Sequence, residues 1–153
     1  MQRAAIFANG RAVAFDPASA RRAMGLNIDF VENEQGAGFK IDNPNAPPAV
    51  QVLAVEILKR KMDDGDDFEL IDVRTPAEIE IASLPGARLL DDDALKDIQS
   101  LPRDTPLVFL CHHGSRSARA AQMFLSMGFT QVFNVTGGID AWSTRIDGSV
   151  PRY

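Results

Sequence analysis

From residue 50 onward, short apolar runs alternate with segments whose apolar residues recur at helical spacing. Strands are predicted over 50–53, 68–73, 88–90, 106–110 and 131–134. Helices are predicted over 55–62, 76–81, 94–100, 117–127 and 139–144. Thr75 and Glu78 form a capping-box pattern, and Asp93 is a predicted N-cap. This alternation over short links predicts an α/β fold, with a mainly parallel five-stranded sheet covered by helices on both faces.

The first 46 residues have a different pattern. The predicted elements are a strand over 12–15, a helix over 17–24, and two strands over 26–31 and 39–41. A stretch rich in proline and asparagine at 43–48 is typical of a linker. We therefore predict a small N-terminal β/α appendage over residues 1–46 and a main domain over residues 47–153.

Composition and charge exclude several classes of protein. The 153 residues are 45% hydrophobic and 24% charged, which suits a folded domain of ordinary size with a soluble surface. Sixteen Lys and Arg against 21 Asp and Glu give a net charge of −5, which argues against nucleic acid and anionic membrane partners. A single cysteine allows no internal disulfide, and no secretory signal or membrane span is recognisable. We expect a cytoplasmic protein.

The one cysteine, Cys111, ends the apolar run 106–110 and is followed by small and polar residues that lead into a helix. Gly114 allows a sharp turn, and Arg116 brings a charge that a buried core position does not accept. Such a loop directs backbone N–H groups and a helix N-terminus at the sulfur. Cysteines in these surroundings have a pKa below the ordinary value of about 8.5, so we predict a Cys111 thiolate at neutral pH.

Loops of this kind serve either phosphoryl transfer or sulfur transfer, and their length distinguishes the two. Cys-based phosphatases have five residues between the cysteine and the arginine, whereas Cys111 and Arg116 are separated by four. The smaller ring better fits one sulfur atom held as a persulfide. The loop resembles that of a rhodanese domain. The motifs that carry this resemblance, in order, are 72–78 (Asp-Val-Arg-Thr-Pro-Ala-Glu), 85–87 (Pro-Gly-Ala), the loop 111–117, and 137–142 (Gly-Gly-Ile-Asp-Ala-Trp).

The resemblance covers about residues 50–153 and implies a thiosulfate sulfurtransferase of the rhodanese type. Cys111 is then the catalytic nucleophile, which takes sulfur from a small anionic donor such as thiosulfate as a persulfide and passes it to cyanide or a thiol. The substrate-binding residues implied are His112, His113, Gly114, Ser115, Arg116 and Ser117. Asp72 and Arg74 are supporting residues, and no metal or other cofactor is implied.

Several roles stay open at the level of sequence. Arg116 either adds positive charge for an anionic donor or forms a structural ion pair. Arg74 and Glu78 are predicted to pair with each other, and Asp72 to bond loop backbone. His112 and His113 are expected at the rim of the site, where one of them is a candidate general acid. Trp142 is expected in the core, and the residues from Trp142 to Tyr153 in a surface tail.

Residues 1–46 resemble the later part of A-type iron–sulfur carrier proteins, through 25–32 (Gly-Leu-Asn-Ile-Asp-Phe-Val-Glu) and 38–46 (Gly-Phe-Lys-Ile-Asp-Asn-Pro-Asn-Ala). The cysteines that bind metal in that family are missing here, so the segment is interpreted as a packing or docking module. By resemblance it implies a thiol acceptor connected with iron–sulfur assembly. Two alternatives to the sulfurtransferase remain, namely a partner-binding or sulfur-relay module with slow turnover, and a Cys-based phosphatase or arsenate reductase.

Overall fold

The computed structural model describes residues 4–8, 11–15, 27–33, 36–42 and 48–153. The chain divides into two compact units, residues 1–47 and 48–153. The first unit contains two antiparallel hairpins, in which β1 (Ala4–Ala8) pairs with β2 (Arg11–Phe15) and β3 (Asn27–Asn33) with β4 (Gly36–Asp42). The three strands predicted in this segment overlap β2, β3 and β4, whereas β1 was not predicted. The predicted helix over 17–24 lies outside the described residues.

The second unit alternates strands and helices along its whole length. Its elements are β5 (Gln51–Leu53), α1 (Val55–Asp64), β6 (Glu69–Asp72), α2 (Pro76–Ile81), β7 (Arg88–Leu89), α3 (Asp92–Ser100), β8 (Leu107–Leu110), α4 (Ser115–Ser126), β9 (Val132–Val135) and α5 (Gly138–Arg145). The strand order is β5-β9-β8-β6-β7, and every pair is parallel. The predicted five-stranded α/β fold is confirmed.

Strand β8 shows how the sheet separates two hydrophobic layers. All four of its residues are buried, because successive side chains point to opposite faces and helices cover both. Val108 and Leu110 pack with residues of α1 and α5, including the predicted core residue Trp142. Leu107 and Phe109 pack with residues of α3 and α4. The core therefore lies on both sides of β8, the strand that leads into the cysteine loop.

The central strands bring two predicted motifs together. Asp72, at the end of β6, is in register with Leu110, at the end of β8. The carboxyl ends of parallel strands are where ligands bind in open α/β sheets. The segment after Asp72 and the cysteine loop therefore emerge side by side at this edge.

Three local predictions are wrong in detail. Asp91, rather than Asp93, caps α3, because its extended backbone lets the side chain accept a hydrogen bond from the N–H of Ala94 at 2.7 Å. Helix α4 begins at Ser115, two residues earlier than predicted. The predicted surface tail begins later than Trp142, since α5 continues to Arg145. Residues 147–149 and 151–153 are exposed, as expected, whereas Val150 packs against the core. No helix in the described part of the chain is long and apolar enough to cross a membrane.

Candidate active site

Cys111 lies between the end of β8 and the start of α4, and it is only 1% exposed. Gly114 has φ +103°, a left-handed conformation that favours glycine, and it forms the N-cap of α4. This conformation lets α4 begin only four residues after Cys111. The first turn of a helix has N–H groups without intrahelical partners, and the helix dipole there favours negative charge. The thiol therefore lies where an anion is stabilised.

Hydrogen bonds converge on the sulfur. The N–H of Gly114 donates to Cys111 Sγ at 3.0 Å, and Ser117 Oγ lies 3.1 Å from it. Burial raises the pKa of Cys111, but hydrogen bonds from the Ser117 hydroxyl and from the N–H groups of Ser117, Gly114 and His113 lower it. The net pKa lies below the ordinary value for a thiol. The surroundings therefore favour the thiolate.

Helix α5 fixes the opposite side of the loop. The N–H groups of Ile139 and Asp140 donate to the carbonyls of Cys111 and His112, at 2.9 and 3.1 Å. In a trans peptide the N–H and C=O point in opposite directions, so a carbonyl held outward turns the next N–H inward. Gly138 makes this close approach possible, since a Cβ there would lie 2.3 Å from both carbonyl oxygens. Helix α5 thus sets the direction of the N–H groups of His112 and His113, the second of which hydrogen-bonds to the sulfur.

Asn134 competes for the Ser117 hydroxyl. Its Oδ1 lies 2.6 Å from Ser117 Oγ, and its Nδ2 donates to the carbonyl of Gly114 at 3.1 Å. A hydroxyl has a single proton, so it donates either to Asn134 or to the sulfur. When Cys111 is ionised, the charged sulfur is the stronger acceptor. The Ser117 proton is therefore expected to follow the charge on Cys111.

Arg116 is paired with Glu78 of α2 rather than left free. Its Nη1 and Nη2 donate to the two carboxylate oxygens at 2.8 and 2.6 Å, a bidentate arrangement. These hydrogen bonds raise the pKa of Arg116 and lower the pKa of Glu78. Of the two roles considered for Arg116, the structural ion pair is present. The guanidinium remains partly exposed and in electrostatic reach of Cys111.

The predicted pair between Arg74 and Glu78 is wrong. Arg74 is buried and pairs with Asp72, with 2.6 Å between Nη2 and Oδ2. Asp72 also accepts a hydrogen bond from the backbone N–H of Arg74 at 3.1 Å, so it bonds the backbone of the segment that follows β6. Burial lowers the pKa of Arg74, but hydrogen bonds to Asp72 and Tyr153 raise it to a net value above the ordinary one. The pair is therefore a fixed, charged support beneath α2.

His112 and His113 differ in exposure and in surroundings. The His112 ring is stacked on Tyr153, with centroids 4.2 Å apart and planes inclined by 11°. Burial and the neighbouring His113 lower the pKa of His112, and its Nε2 is buried without a hydrogen-bond partner among the described residues. His113 is exposed, with Nε2 4.0 Å from Asp140 Oδ2. His112 is therefore neutral at neutral pH.

One group in the described residues offers three possible metal ligands, namely His112, His113 and Asp140, whose ligand atoms lie within 4.8 Å of one another. Asp140 already accepts a hydrogen bond from Arg152 Nε at 2.8 Å, and His112 is stacked beneath Tyr153. Zinc ligands lie about 2.0–2.2 Å from the ion, so these three side chains fit a metal only after rearrangement. Function without a metal stays a prediction.

Of the predicted loop residues, His113, Gly114 and Ser117 hydrogen-bond to the Cys111 sulfur, whereas Arg116 is held by Glu78 and His112 is stacked on Tyr153. Asp72 and Arg74 lie at the adjacent strand end. Sequence analysis missed the roles of four further residues near this loop: Glu78, Asn134, Gly138 and Tyr153. The capping-box pattern identified Glu78, but its loop partner is 38 positions away. The double glycine at 137–138 was a signal for Gly138, whereas no signal for Asn134 or Tyr153 was recognised.

Comparison with known proteins gives a consistent result. The family described as "Rhodanese-like domain" matches residues 54–145. The chain is 43% identical over 112 residues to rhodanese-like/PpiC domain-containing protein 12, chloroplastic, of Arabidopsis thaliana. That alignment covers 68% of this chain but only 38% of the plant protein. This chain is also 31% identical over 93 residues to thiosulfate sulfurtransferase GlpE of Pseudomonas aeruginosa, and that alignment covers 60% of this chain and 83% of GlpE.

Solved structures show the same similarity. A rhodanese-like domain protein from Staphylococcus aureus superimposes with a TM-score of 0.53 at 29% identity, covering 61% of this chain and 91% of that one. The region that the family matches, residues 54–145, lies in the second unit and contains the cysteine loop. The curated relatives therefore include sulfurtransferases, and the similarity extends to the fold.

Proposed function

Because the chain belongs to the rhodanese-like domain family, we propose that it is a sulfurtransferase that carries sulfane sulfur as a persulfide on Cys111. The observation that carries the proposal is the set of hydrogen bonds directed at Cys111 Sγ from Gly114 and Ser117. They stabilise a negative charge at this position, and the reaction needs an anionic sulfur there twice, first as thiolate and then as persulfide.

In the first half-reaction the Cys111 thiolate attacks the outer sulfur of thiosulfate or a related sulfane donor. A new S–S bond forms to Cys111 as the S–S bond of thiosulfate breaks, and sulfite leaves with the electron pair. The outer sulfur of the resulting persulfide then carries the negative charge. The exposed part of the Arg116 guanidinium, though paired with Glu78, is the cationic group closest in sequence to the thiolate and supports binding of a small anionic donor.

In the second half-reaction an acceptor attacks the outer sulfur of the persulfide. Cyanide leaves as thiocyanate, or a thiolate leaves as a new persulfide, and the electron pair of the broken S–S bond returns to Cys111. The chain has no second cysteine, so the acceptor is external. The cycle needs no net oxidant or reductant, and we propose that it needs neither a metal nor another cofactor. A cysteine that has to stay reduced fits a reducing compartment, and we therefore propose that the protein works in the cytoplasm.

Mass spectrometry of the intact protein after incubation with thiosulfate tests the first half-reaction. We expect the mass to increase by one sulfur atom, and the gain to be reversed by cyanide with release of thiocyanate. Cys111→Ser serves as the matched control, because it keeps the size of the side chain but not the nucleophile. An unchanged mass in the wild-type protein, with several sulfane donors, contradicts the proposal. Cleavage of an aryl phosphate that depends on Cys111 favours phosphatase chemistry instead.

A sulfur relay to a partner protein is the second candidate, favoured by the separate unit at residues 1–47. The matched family covers residues 54–145 and leaves this unit unexplained. We propose that it docks a protein acceptor connected with iron–sulfur assembly. In a relay the persulfide forms readily, but its transfer to cyanide is slow and its transfer to the docked partner is fast. Measuring both transfer rates from the preformed persulfide distinguishes the relay from the general sulfurtransferase.

A further inference from the structure

Residues 147–153 return to the cysteine loop and are held there at three places. Val150 packs against the hydrophobic core. Arg152 Nε donates at 2.8 Å to Oδ1 of Asp140, an α5 residue whose N–H holds the carbonyl of His112. Tyr153 contacts both the loop and α2. Since a contact at one point does not order a chain segment, the three together indicate a defined position for the Tyr153 ring.

The Tyr153 side chain makes one aromatic and two polar contacts. Its ring lies on the His112 imidazole at 4.2 Å, and its hydroxyl lies 2.9 Å from Arg74 Nη1 and 3.1 Å from Glu78 Oε1. A guanidinium has only donors and a carboxylate only acceptors, so the hydroxyl accepts from Arg74 and donates to Glu78. The hydroxyl thus hydrogen-bonds to two charged groups, once as an acceptor and once as a donor.

These contacts extend across the loop. The N–H groups of His113 and Gly114 and the hydroxyl of Ser117 point to the sulfur. The side chains of His112, His113 and Arg116 are partly or fully exposed, and we call these three the rim. Tyr153 touches the first rim side chain, His112, directly. Through Glu78 it is linked to the last one, Arg116, because the carboxylate that accepts from Tyr153 also holds that guanidinium. The single tyrosine of the chain therefore joins both ends of the rim.

We propose that Tyr153 is a specificity-determining residue, which holds His112 and Arg116 at the rim and so admits small sulfur donors and acceptors to Cys111 while excluding bulky thiols. Cys111 is 1% exposed, whereas Tyr153 is 38% exposed and lies at the boundary between the loop and solvent. A large reagent reaches the sulfur only after the rim opens. Opening breaks hydrogen bonds to charged groups, each of which changes an equilibrium about tenfold or more.

Alkylation of Cys111 by two maleimides of different size tests this inference without any sulfur transfer. Cys111 is the only cysteine, so N-ethylmaleimide and a polyethylene-glycol maleimide report on the same atom with the same chemistry. The measured quantity is the ratio of their second-order rate constants, compared between the wild type, Tyr153→Ala and Tyr153→Phe. Met123→Ala, which truncates an exposed apolar side chain on α4, is the control.

We expect Tyr153→Ala to raise the rate of the large reagent on the order of a hundredfold relative to the small one, because two hydrogen bonds to charged groups are lost together with the ring. Tyr153→Phe keeps the ring on His112 but loses the hydroxyl, so its ratio lies between those of the wild type and Tyr153→Ala. In turnover, the rate with glutathione as acceptor rises relative to that with cyanide in the same order. Thermal unfolding verifies that each variant is folded, and Tyr153→Leu replaces Tyr153→Ala if that variant is not.

An unchanged ratio of the two maleimide rates in folded Tyr153→Ala or Tyr153→Leu overturns the inference. The turnover part of the inference rests on the proposed function, but the alkylation part does not. Persulfide formation without size selection by Tyr153 leaves the sulfurtransferase standing and removes this role of Tyr153. Size selection by Tyr153 without persulfide formation leaves this role of Tyr153 standing and removes the sulfurtransferase.

Discussion

Ser117 is the side chain on which the ionisation of Cys111 most depends. Among the hydrogen bonds that lower the pKa of Cys111, the one from its hydroxyl is the largest. Ser117→Ala removes this donor but leaves the N–H groups of Ser117, Gly114 and His113. Ser117 is buried, and the substitution removes a single oxygen atom, so α4 keeps its start and its packing. The expected result is a higher pKa for Cys111 in a folded protein.

The size of the effect follows from two opposing contributions. A hydrogen bond to a charged group is worth about 1.5–3 kcal/mol. The Ser117 proton is shared with Asn134, 2.6 Å away, so we take the lower end of that range. About 1.4 kcal/mol is a factor of ten in an equilibrium. At neutral pH the ratio of thiolate to thiol at Cys111 should therefore fall about tenfold in Ser117→Ala.

The pH dependence of alkylation by iodoacetamide measures this ratio. Only the thiolate reacts, so the alkylation rate of Ser117→Ala lies below that of the wild type near neutral pH and reaches or exceeds it at alkaline pH, where both are ionised. Ser115→Ala, a change at an exposed serine in the same helical turn, is the matched control and should keep the wild-type profile. Identical pH profiles for the wild type and Ser117→Ala would refute the reasoning that the hydroxyl stabilises the thiolate.

Four further predictions concern the same loop and the N-terminal unit. Because folding lowers the pKa of Cys111, the thiolate stabilises the fold fully above the unfolded thiol pKa of about 8.5, and this contribution is lost as the pH falls through the folded-state pKa. Urea unfolding should therefore show the wild type gaining stability over Cys111→Ala as the pH rises, and a pH-independent difference would contradict this. Gly138→Ala places a Cβ 2.3 Å from two loop carbonyls, so we expect about 1–3 kcal/mol less stability in the same assay and about a hundredfold lower kcat/KM with thiosulfate; a wild-type kcat/KM would refute the role of α5. Glu78→Gln keeps a capping residue for α2 but leaves the charge of Arg116 unbalanced, so the pKa of Cys111 measured by alkylation should fall, and a rise would contradict the expected sign. Deletion of residues 1–46 should leave persulfide formation at the wild-type rate in mass spectrometry, whereas a protein that no longer folds would show that this segment is needed by the second unit.

The fold and the position of Cys111 followed from the sequence because both depend on short stretches of chain. The apolar run ending at Leu110, the turn at Gly114 and the helical pattern after it are contiguous, so local conformational preferences place Cys111 at the start of a helix. The same holds for α2, whose bounds were predicted correctly from its capping box. Alternation of strands and helices was enough to predict the parallel sheet, because a helix is the usual connection between two parallel strands.

The partners of the loop were decided only by the tertiary structure. Arg116 is bonded to a residue 38 positions away, and the Tyr153 hydroxyl to one 75 positions away. Which carboxylate meets which guanidinium depends on the order of β6, β8 and β9 in the sheet and on the path of the chain after α5. Periodicity and capping signals contain no information about such distances. The sequence alone therefore determined that Cys111 lies between a buried strand and the start of a helix, and the packing of distant segments decided which side chains surround the loop.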